Sequence, residues 1–468
     1  MDVSESPEVK SAGATARLVG FLAGLGFAAL PAETVAASKI FVLDLIGAML
    51  GALHAEETRM AVAMVRELGG REECSVLGQL FRTSCQQAAF LNGLSAHVLE
   101  LDDTHRCSIT HVGAAVIPAA LAMAEREGAS GADFLAAVVV GYEATLRIAR
   151  AVQPSHWRRG FLGMGTCGTF GAAAAAGHVL GQDAEALANG FGLAGIQAAG
   201  LNSSIYGEGD MGKRLCPSHA AAQGVFSALL AAKGFTGSTA ILEQRKGFCQ
   251  SFADEYDLAA ITEGLGASFE IMRTGLKPYA CCRYNHAPID GLLSLMGEHG
   301  IAADAIAAIR VRTYDVAVTN RPHRTRPLSL FDAKMSIPFC LAVAALRGTV
   351  NEGDFTAELL ADAALSRFAE RVRVESDAAM SAEFPREWPA EVEILLADGR
   401  RVARRVAYPK GEPEAPMSDR EVEDKFIDLA SAALSPEAAR AVIGEVRTLE
   451  RSEGVEGVLR TIREGLKD

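Results

Sequence analysis

The sequence predicts a mainly α protein, with a large all-helical domain and a smaller α+β lid domain inserted in it. Three observations carry that expectation. Apolar residues recur at helical spacing over most of residues 14–265. Two-residue alternation is confined to short stretches between 306 and 407. Glycine (46 residues) and alanine are abundant while aromatics make up 6%, a mix that suits closely packed helices. A chain of 468 residues also exceeds one ordinary core, so two domains are the simplest expectation. The boundaries read as 1–272 with 413–468 for the helical domain, and 273–412 for the lid.

The elements follow in order. Residues 1–12 are polar and expected to be disordered. Leu18, Phe21, Leu22 and Leu25 fit one helical face, and Pro31 opens a second that carries Val35, Ile40, Leu43 and Ile46. Further helices are predicted at 85–101, 114–127, 131–152, 166–180, 183–199 and 218–233, with Gly128, Gly181 and Gly234 as C-terminal stops. The Ala/Gly run 171–177 is expected to lie buried where neighbours approach closely. Residues 306–317 alternate as a half-buried strand through Ile309, Val311 and Thr313. Residues 392–407 read as strand, Asp-Gly turn and strand. Helices are predicted at 286–299, 333–346 and 356–371. After a Pro/Gly/charge-rich linker at 408–416 the helical pattern returns from Ser418.

Composition excludes several classes. A net charge of −13 without a long Lys/Arg run argues against nucleic acid. The apolar stretches 134–142 and 171–177 fall short of the roughly 20 residues that a membrane span needs, so no membrane partner is expected. Nine cysteines with no C-x-x-C pair argue against a disulfide framework and a structural zinc site. The acidic N-terminus does not read as a secretory signal, and the default location is cytoplasmic. No H-E-x-x-H or equivalent occurs, so neither a metal nor a cofactor is expected.

Three clusters could carry chemistry. The first is His97, Glu100, Asp102, Asp103, Thr104, His105 and His111. His97 and Glu100 share a face at helical spacing, and Asp103 or Thr104 would extend it. Titratable groups whose environments push their pKa values apart can divide acid and base roles; the bland alternative is an N-cap on a solvated acidic turn. The second cluster is Lys213 with Arg214. The third runs from Lys277 through Cys281, Cys282, Arg283 and Tyr284 to His286. Both concentrate cations in an acidic chain, as recognition of carboxylates requires; the bland alternative is pairing with surface acids around small buried cysteines.

Taken together, the segments resemble the MmgE/PrpD family. The similar stretches are Asn92-Gly-Leu-Ser-Ala-His-Val-Leu-Glu-Leu-Asp-Asp-Thr104, His111-Val-Gly-Ala-Ala-Val-Ile-Pro118, Gly165-Thr-Cys-Gly-Thr-Phe-Gly171, Lys213-Arg-Leu215 with the Ala-Ala-Ala-Gln-Gly that follows, Lys277 to Asp290, Lys334-Met-Ser336, and Pro416-Met-Ser-Asp-Arg-Glu-Val-Glu-Asp-Lys-Phe426. The family includes 2-methylcitrate dehydratases, cis-aconitate decarboxylases and an iminodisuccinate epimerase. The resemblance implies a helical domain with an α+β lid, usually a homodimer, and metal-free chemistry at a carbanion-like centre next to a carboxylate. By position, Asp102, Asp103 and Thr104 match the family's Asp-Asp-Thr turn, His111 its following histidine, and Lys213 and Lys277 its two pocket lysines.

The chain departs from the pattern at four places. Glu100 stands where many relatives have Asp. Leu162-Gly-Met164 stands where many carry His-Pro-Thr, Cys216 replaces a histidine, and Phe339 aligns with a pocket tyrosine of the decarboxylases. His156 and His105 are the candidates to replace a lost donor. The expected function is a lyase that dehydrates a small hydroxylated di- or tricarboxylate. An isomerase, epimerase or decarboxylase on a related polycarboxylate is the alternative, and a catalytically silent binding or oligomer-forming relative the rival from another class. His111 is expected as the acid–base residue, Lys213 and Lys277 to stabilise developing charge, and Asp102 and Asp103 to tune His111. Glu100, Thr104, His105, Arg283, Tyr284 and His286 are expected to contact the substrate.

Overall fold

The computed structural model describes residues 13–205, 211–319 and 323–467; the expected disorder at 1–12 lies outside them. The chain is mainly α. Its first part comprises α1 (Ala14–Gly24), α2 (Ala32–Gly51), α3 (Glu56–Leu68), α4 (Cys85–Val98), α5 (Gly113–Glu127), α6 (Gly131–Val152), α7 (Gly163–Val179), α8 (Ala184–Gly195) and α9 (Leu215–Ala231). Gly128, Gly181 and Gly234 all adopt positive φ at or just beyond helix ends, as expected.

Helix α7 lies at the centre and packs against α5, α6, α8 and α9. Every residue from Gly163 to Gly177 is buried. Small side chains are what the spacing demands. A Cβ on Gly171 would sit 2.6 Å from the carbonyl of Gly141, and one on Gly224 would sit 2.3 Å from Ala172 Cβ. The backbones of α6, α7 and α9 therefore approach more closely than larger residues allow, and dispersion contacts accumulate along them.

Helix α2 departs from the sequence reading. It is 20 residues long with a mean hydropathy of 1.6, enough by length and composition to cross a membrane. Glu33, Lys39 and Asp44 interrupt the run, so no unbroken apolar stretch marks it in the sequence. Residues 41–50 are all buried, and α2 packs against α4, α5 and α6.

The later part is α+β. Helix α10 (His286–His299) and helix α11 (Ile337–Arg347) cover a four-stranded sheet of β1 (Ile306–Thr313), β2 (Val372–Ser376), β3 (Ala390–Leu396) and β4 (Arg401–Val406). The order is β2-β1-β3-β4, with β1 and β2 parallel and the other neighbours antiparallel. Ala390, Val392, Ile394 and Leu396 of β3 point inward. On β1, Ile306 and Ile309 are both buried although three apart, and a register shift between Ile306 and Ala308 restores the alternation. The Asp-Gly turn forms as expected, with Gly399 at φ +88.

Three predicted elements are split. The alternation of β1 ends at Thr313, and a short helix, Asp315–Thr319, follows. The predicted 333–346 helix breaks at Ser336, whose hydroxyl caps α11. The predicted 356–371 helix breaks at Asp362, whose carboxylate caps Ala363–Ala369. The chain closes with α12 (Asp419–Ala430), α13 (Pro436–Arg447) and α14 (Glu456–Glu464); α12 and α13 pack on α2. Ser418 and Glu421 form a capping box at the start of α12. One apolar cluster joins Leu18, Val138, Phe170 and Ile271 with Phe426 and Leu459; a second joins residues 280–396 with Leu91, Leu94 and Val98 of α4. The end of α4 thus lies where the two clusters meet.

Candidate active site

Helix α4 stops at Val98, and Glu100 turns into the left-handed region at φ +59. A non-glycine residue pays for that conformation in steric strain. Here three lysines from distant segments stabilise the turn. Lys334 Nζ donates to Leu99 O (3.1 Å), Lys277 Nζ to Glu100 O (2.9 Å) and Lys425 Nζ to Leu101 O (3.1 Å). Carbonyls at a helix C-terminus lack intrahelical partners, and cations are favoured there by the helix dipole. The expectation of one helical face through His97, Glu100 and Asp103 therefore fails, because the helix has ended. The turn brings the groups together instead.

Behind this turn His97 Nδ1 lies 2.8 Å from Asp102 Oδ2. Although burial pushes the Asp102 carboxyl up, His97 and His111 hold it far below its ordinary range. Asp103 accepts from the Tyr142 hydroxyl (2.7 Å) and from the Gly113 N–H (2.9 Å), which anchors the start of α5. Burial pushes the Asp103 carboxyl up to about 7. His111 Nδ1 lies 2.7 Å from the Asp103 carbonyl and 3.1 Å from Thr104 Oγ1. A carbonyl only accepts, so Nδ1 carries the proton and Nε2 offers a lone pair. Burial and then Lys277 push the His111 imidazole down to about 3, so it is neutral near pH 7.

Glu100 holds the cations. Lys213 Nζ is 2.5 Å from Glu100 Oε1, and Lys277 Nζ is 3.8 Å from Oε2. Burial would raise the Glu100 carboxyl, but Lys213, His97 and Lys277 hold it well below the ordinary value. Burial pushes the Lys213 ammonium down despite Glu100, so it releases a proton more readily than an ordinary lysine. Both lysines reach one locus, as the sequence suggested, and a carboxylate of the chain itself already lies between them.

Some of these groups border a narrow, partly open cleft. Of the residues expected at the site, Glu100, Thr104, His111, Lys213, Arg283 and Tyr284 line it. Asp102, Asp103 and Lys277 lie behind that wall, against Glu100 or His111. Two expected substrate contacts are corrected. His105 accepts from the Ser108 N–H at Nδ1, with Nε2 3.4 Å from Glu270, and does not border the cleft. His286 accepts from Arg283 Nη1 at Nδ1 (2.9 Å) with Nε2 at Cys281 O, and is also walled off. Arg283 is largely committed, to Glu412 (2.7 Å), Leu276 O, Lys410 O and His286.

Neither proposed replacement donor serves. His156 is fully buried, with Nε2 2.8 Å from Thr166 Oγ1 among Phe161, Phe248 and Phe252. Phe339 lies in the second apolar cluster and not on the cleft. Leu162 and Met164, which stand in place of the family's histidine motif, do line it. The sequence reading missed Thr110, Trp157, Asn202 and Trp388, which also line the cleft. A usable signal existed for two of them, since the chain has 2 tryptophans and both are here. Among the described residues, no group of three or more His, Cys, Asp or Glu side chains is arranged to hold a metal.

Comparison with known proteins agrees with these motifs. The model of the MmgE/PrpD N-terminal domain matches residues 16–260, and that of the MmgE/PrpD C-terminal domain matches residues 279–451. The cis-aconitate decarboxylase-like protein oryM of Aspergillus oryzae is 29% identical, over 96% of this chain and 97% of its own. A cis-aconitate decarboxylase of Aspergillus terreus is 26% identical over 96% and 95%, and that of Homo sapiens 27% over 94% and 92%.

Proposed function

The chain belongs to the MmgE/PrpD family, and from that premise we propose that it is a lyase that decarboxylates a small polycarboxylate. The observation that carries this reading is His111, held as a neutral imidazole with its free Nε2 beside Lys213 on the cleft wall. Decarboxylation ranks ahead of the dehydration expected from sequence because the full-length relatives above are named as decarboxylases.

The chemistry follows from the charges. In decarboxylation the bond to the leaving carboxylate breaks, carbon dioxide departs, and the electron pair remains on the chain as an enolate-like anion beside a second carboxylate. Lys213 stabilises that anion. One proton must then reach carbon. Lys277 and Lys213 both depress His111, so a substrate carboxylate that offsets them raises its basicity. The imidazole then takes up a proton at Nε2 and delivers it, while Nδ1–H stays on the Asp103 carbonyl. The proposal includes action as a homodimer in the cytoplasm, without a metal.

The test is incubation with di- and tricarboxylates in deuterium oxide, followed by NMR of products and measurement of carbon dioxide. Carbon dioxide release with one deuterium at the former carbanion carbon is expected. Loss of water without carbon dioxide would replace this reading by dehydration. Exchange without net change would favour epimerisation, and binding without either would favour a silent relative.

A further inference from the structure

The loop between Thr104 and His111 joins the site to the α+β part of the chain. His105 and Thr110 close it, with His105 N donating to Thr110 O (2.9 Å) and Thr110 N to His105 O (3.3 Å). Its root is fixed as well, because Thr104 and Gly275 exchange backbone bonds of 2.9 Å in both directions. Residues 106–109 form the tip, and His111 follows the closing pair directly. Ile109, Thr110 and His111 all border the cleft. Ile109 adopts a φ of +48. A β-branched residue is strained in that region, so surrounding contacts must hold it there.

Two contacts of the tip do so. Ile109 packs against an aromatic cluster of the α+β part that contains Tyr284, Tyr314 and Trp388. Arg106 reaches the linker that runs from β4 back to α12. Its Nη1 donates to Glu412 Oε2 (2.8 Å) and to Glu414 Oε2 (2.9 Å), and its Nη2 donates to Glu414 Oε1 (2.5 Å). The guanidinium also lies over the Tyr408 ring, 4.8 Å from its centroid. Glu412 is buried, and its other oxygen accepts from Arg283 Nη2 (2.7 Å). One buried carboxylate thus joins the tip of the His111 loop to the segment just before α10. Forked, charge-assisted pairs of this kind fix orientation as well as distance.

We infer that Arg106 is a positioning residue: its clamp on Glu412 and Glu414 holds the 105–110 loop closed beside His111 and shields the imidazole from water. This deepens the lyase reading and rests on it. Arg106 does not border the cleft, so it acts through the loop and touches no substrate. Burial is the first cause of the depressed His111 imidazole, and the charges that act most on it are Lys277, Asp102, His97 and Lys213. Arg106, Glu412 and Glu414 are not among them. Freeing the loop therefore changes the burial of His111, while those four groups, with Glu100 beside Lys213, keep their places.

NMR titration of the His111 ring protons, assigned by their absence from His111→Gln, reads this without substrate. The wild-type signal should show no titration above about pH 5. Arg106→Leu should bring its midpoint up by about two units, towards the ordinary 6.5. The same variant should lower kcat/KM for carbon dioxide release about tenfold or more, since the imidazole is then poorly placed. Arg106→Lys keeps the charge but not the fork, and should fall between wild type and Arg106→Leu in both readouts. Glu414→Gln removes the more exposed arm of the clamp and should move both in the same direction by less; it decides the matter if thermal unfolding shows that Arg106→Leu does not fold. A merely structural role would lower the melting temperature and leave the His111 titration unchanged, and that result overturns the inference. So does a raised midpoint with unchanged kcat/KM. If the wild type releases carbon dioxide from no polycarboxylate, the lyase reading fails, and the titration alone still decides whether Arg106 holds the loop closed.

Discussion

Lys213→Met removes the ammonium that sits 2.5 Å from Glu100 Oε1, between side chains that are 7% and 1% exposed. At an effective dielectric constant of 20, unit charges at that spacing attract by about 7 kcal/mol, and Lys277 at 3.8 Å from Oε2 adds about 4 kcal/mol. Lys277 therefore cannot make up the loss, and its nearer contact is the Glu100 carbonyl at 2.9 Å. Desolvation offsets much of the gross attraction, and breaking a buried pair by removing one partner costs about 3–5 kcal/mol. The unfolding free energy of Lys213→Met should fall by that amount. Glu100→Gln keeps the shape and removes the acid, and should cost a similar amount. The double variant should be more stable than the sum of the two losses predicts by about 3 kcal/mol. Urea unfolding followed by tryptophan fluorescence measures all four corners of the cycle. Losses that add to within about 0.5 kcal/mol would show that the two groups do not interact. A second readout separates structure from catalysis. If Lys213 stabilises the anion, kcat/KM of the folded Lys213→Met protein falls far more than its population does.

His111→Ala should lower carbon dioxide release and deuterium incorporation by about 10²–10⁴-fold while far-ultraviolet circular dichroism stays unchanged; near-full activity would remove His111 from the reaction. Asp103 has a folded pKa raised to about 7, so its contribution to stability is fully present below pH 3.8 and is lost as pH rises towards 7. Relative to Asp103→Asn, the wild type should lose about 1.4 kcal/mol of stability per pH unit from pH 4 to 7 and none above pH 8. His111 and His156, pushed down to about 3, act in the opposite direction, and the comparison with the variant cancels them. Gly171→Ala would place a Cβ 1.8 Å from Thr145 Oγ1 and should lower stability by about 1–3 kcal/mol in thermal or urea unfolding. Activity should survive dialysis against a chelator; loss that a divalent ion restores would show that a metal takes part.

Elements whose signals are local were legible in the sequence. Helices α6 and α10 begin and end where periodicity and flanking residues placed them, and the Asp398-Gly399 turn formed because glycine suits its positive φ. Strand β2 was not legible. It is a parallel edge strand, and of its residues only Val372 is fully buried, so no alternation marks it. At the site, sequence spacing grouped the right acids and lysines but could not give side-chain direction. His105 and His286 stand beside cleft residues in the chain and yet face Glu270 and Arg283. Nor could spacing show that Asn202 and Trp388, far apart in the chain, border the same cleft.

The lysines show most clearly what only the folded chain supplies. From sequence, Lys277 reads as a pocket cation, and Lys334 and Lys425 as parts of motifs with no assigned role. In the structure all three ammonium groups donate to consecutive carbonyls of the turn 99–101. Their positive charge is matched locally, Lys334 by Glu352 at 2.5 Å and Lys425 by Asp44 at 2.6 Å. Lys277 is paired with the more distant Glu100 carboxylate, which it shares with Lys213, and lies in the field of Asp102 as well. Burial and then Lys277 depress the His111 imidazole, against the opposing pull of Asp102. On the lyase reading proposed above, a substrate carboxylate in the cleft would meet the Lys213 ammonium, which the turn already holds in place through Glu100. On that reading a substrate carboxylate would compete with Glu100 for the Lys213 ammonium, which limits how much negative charge the cleft accepts.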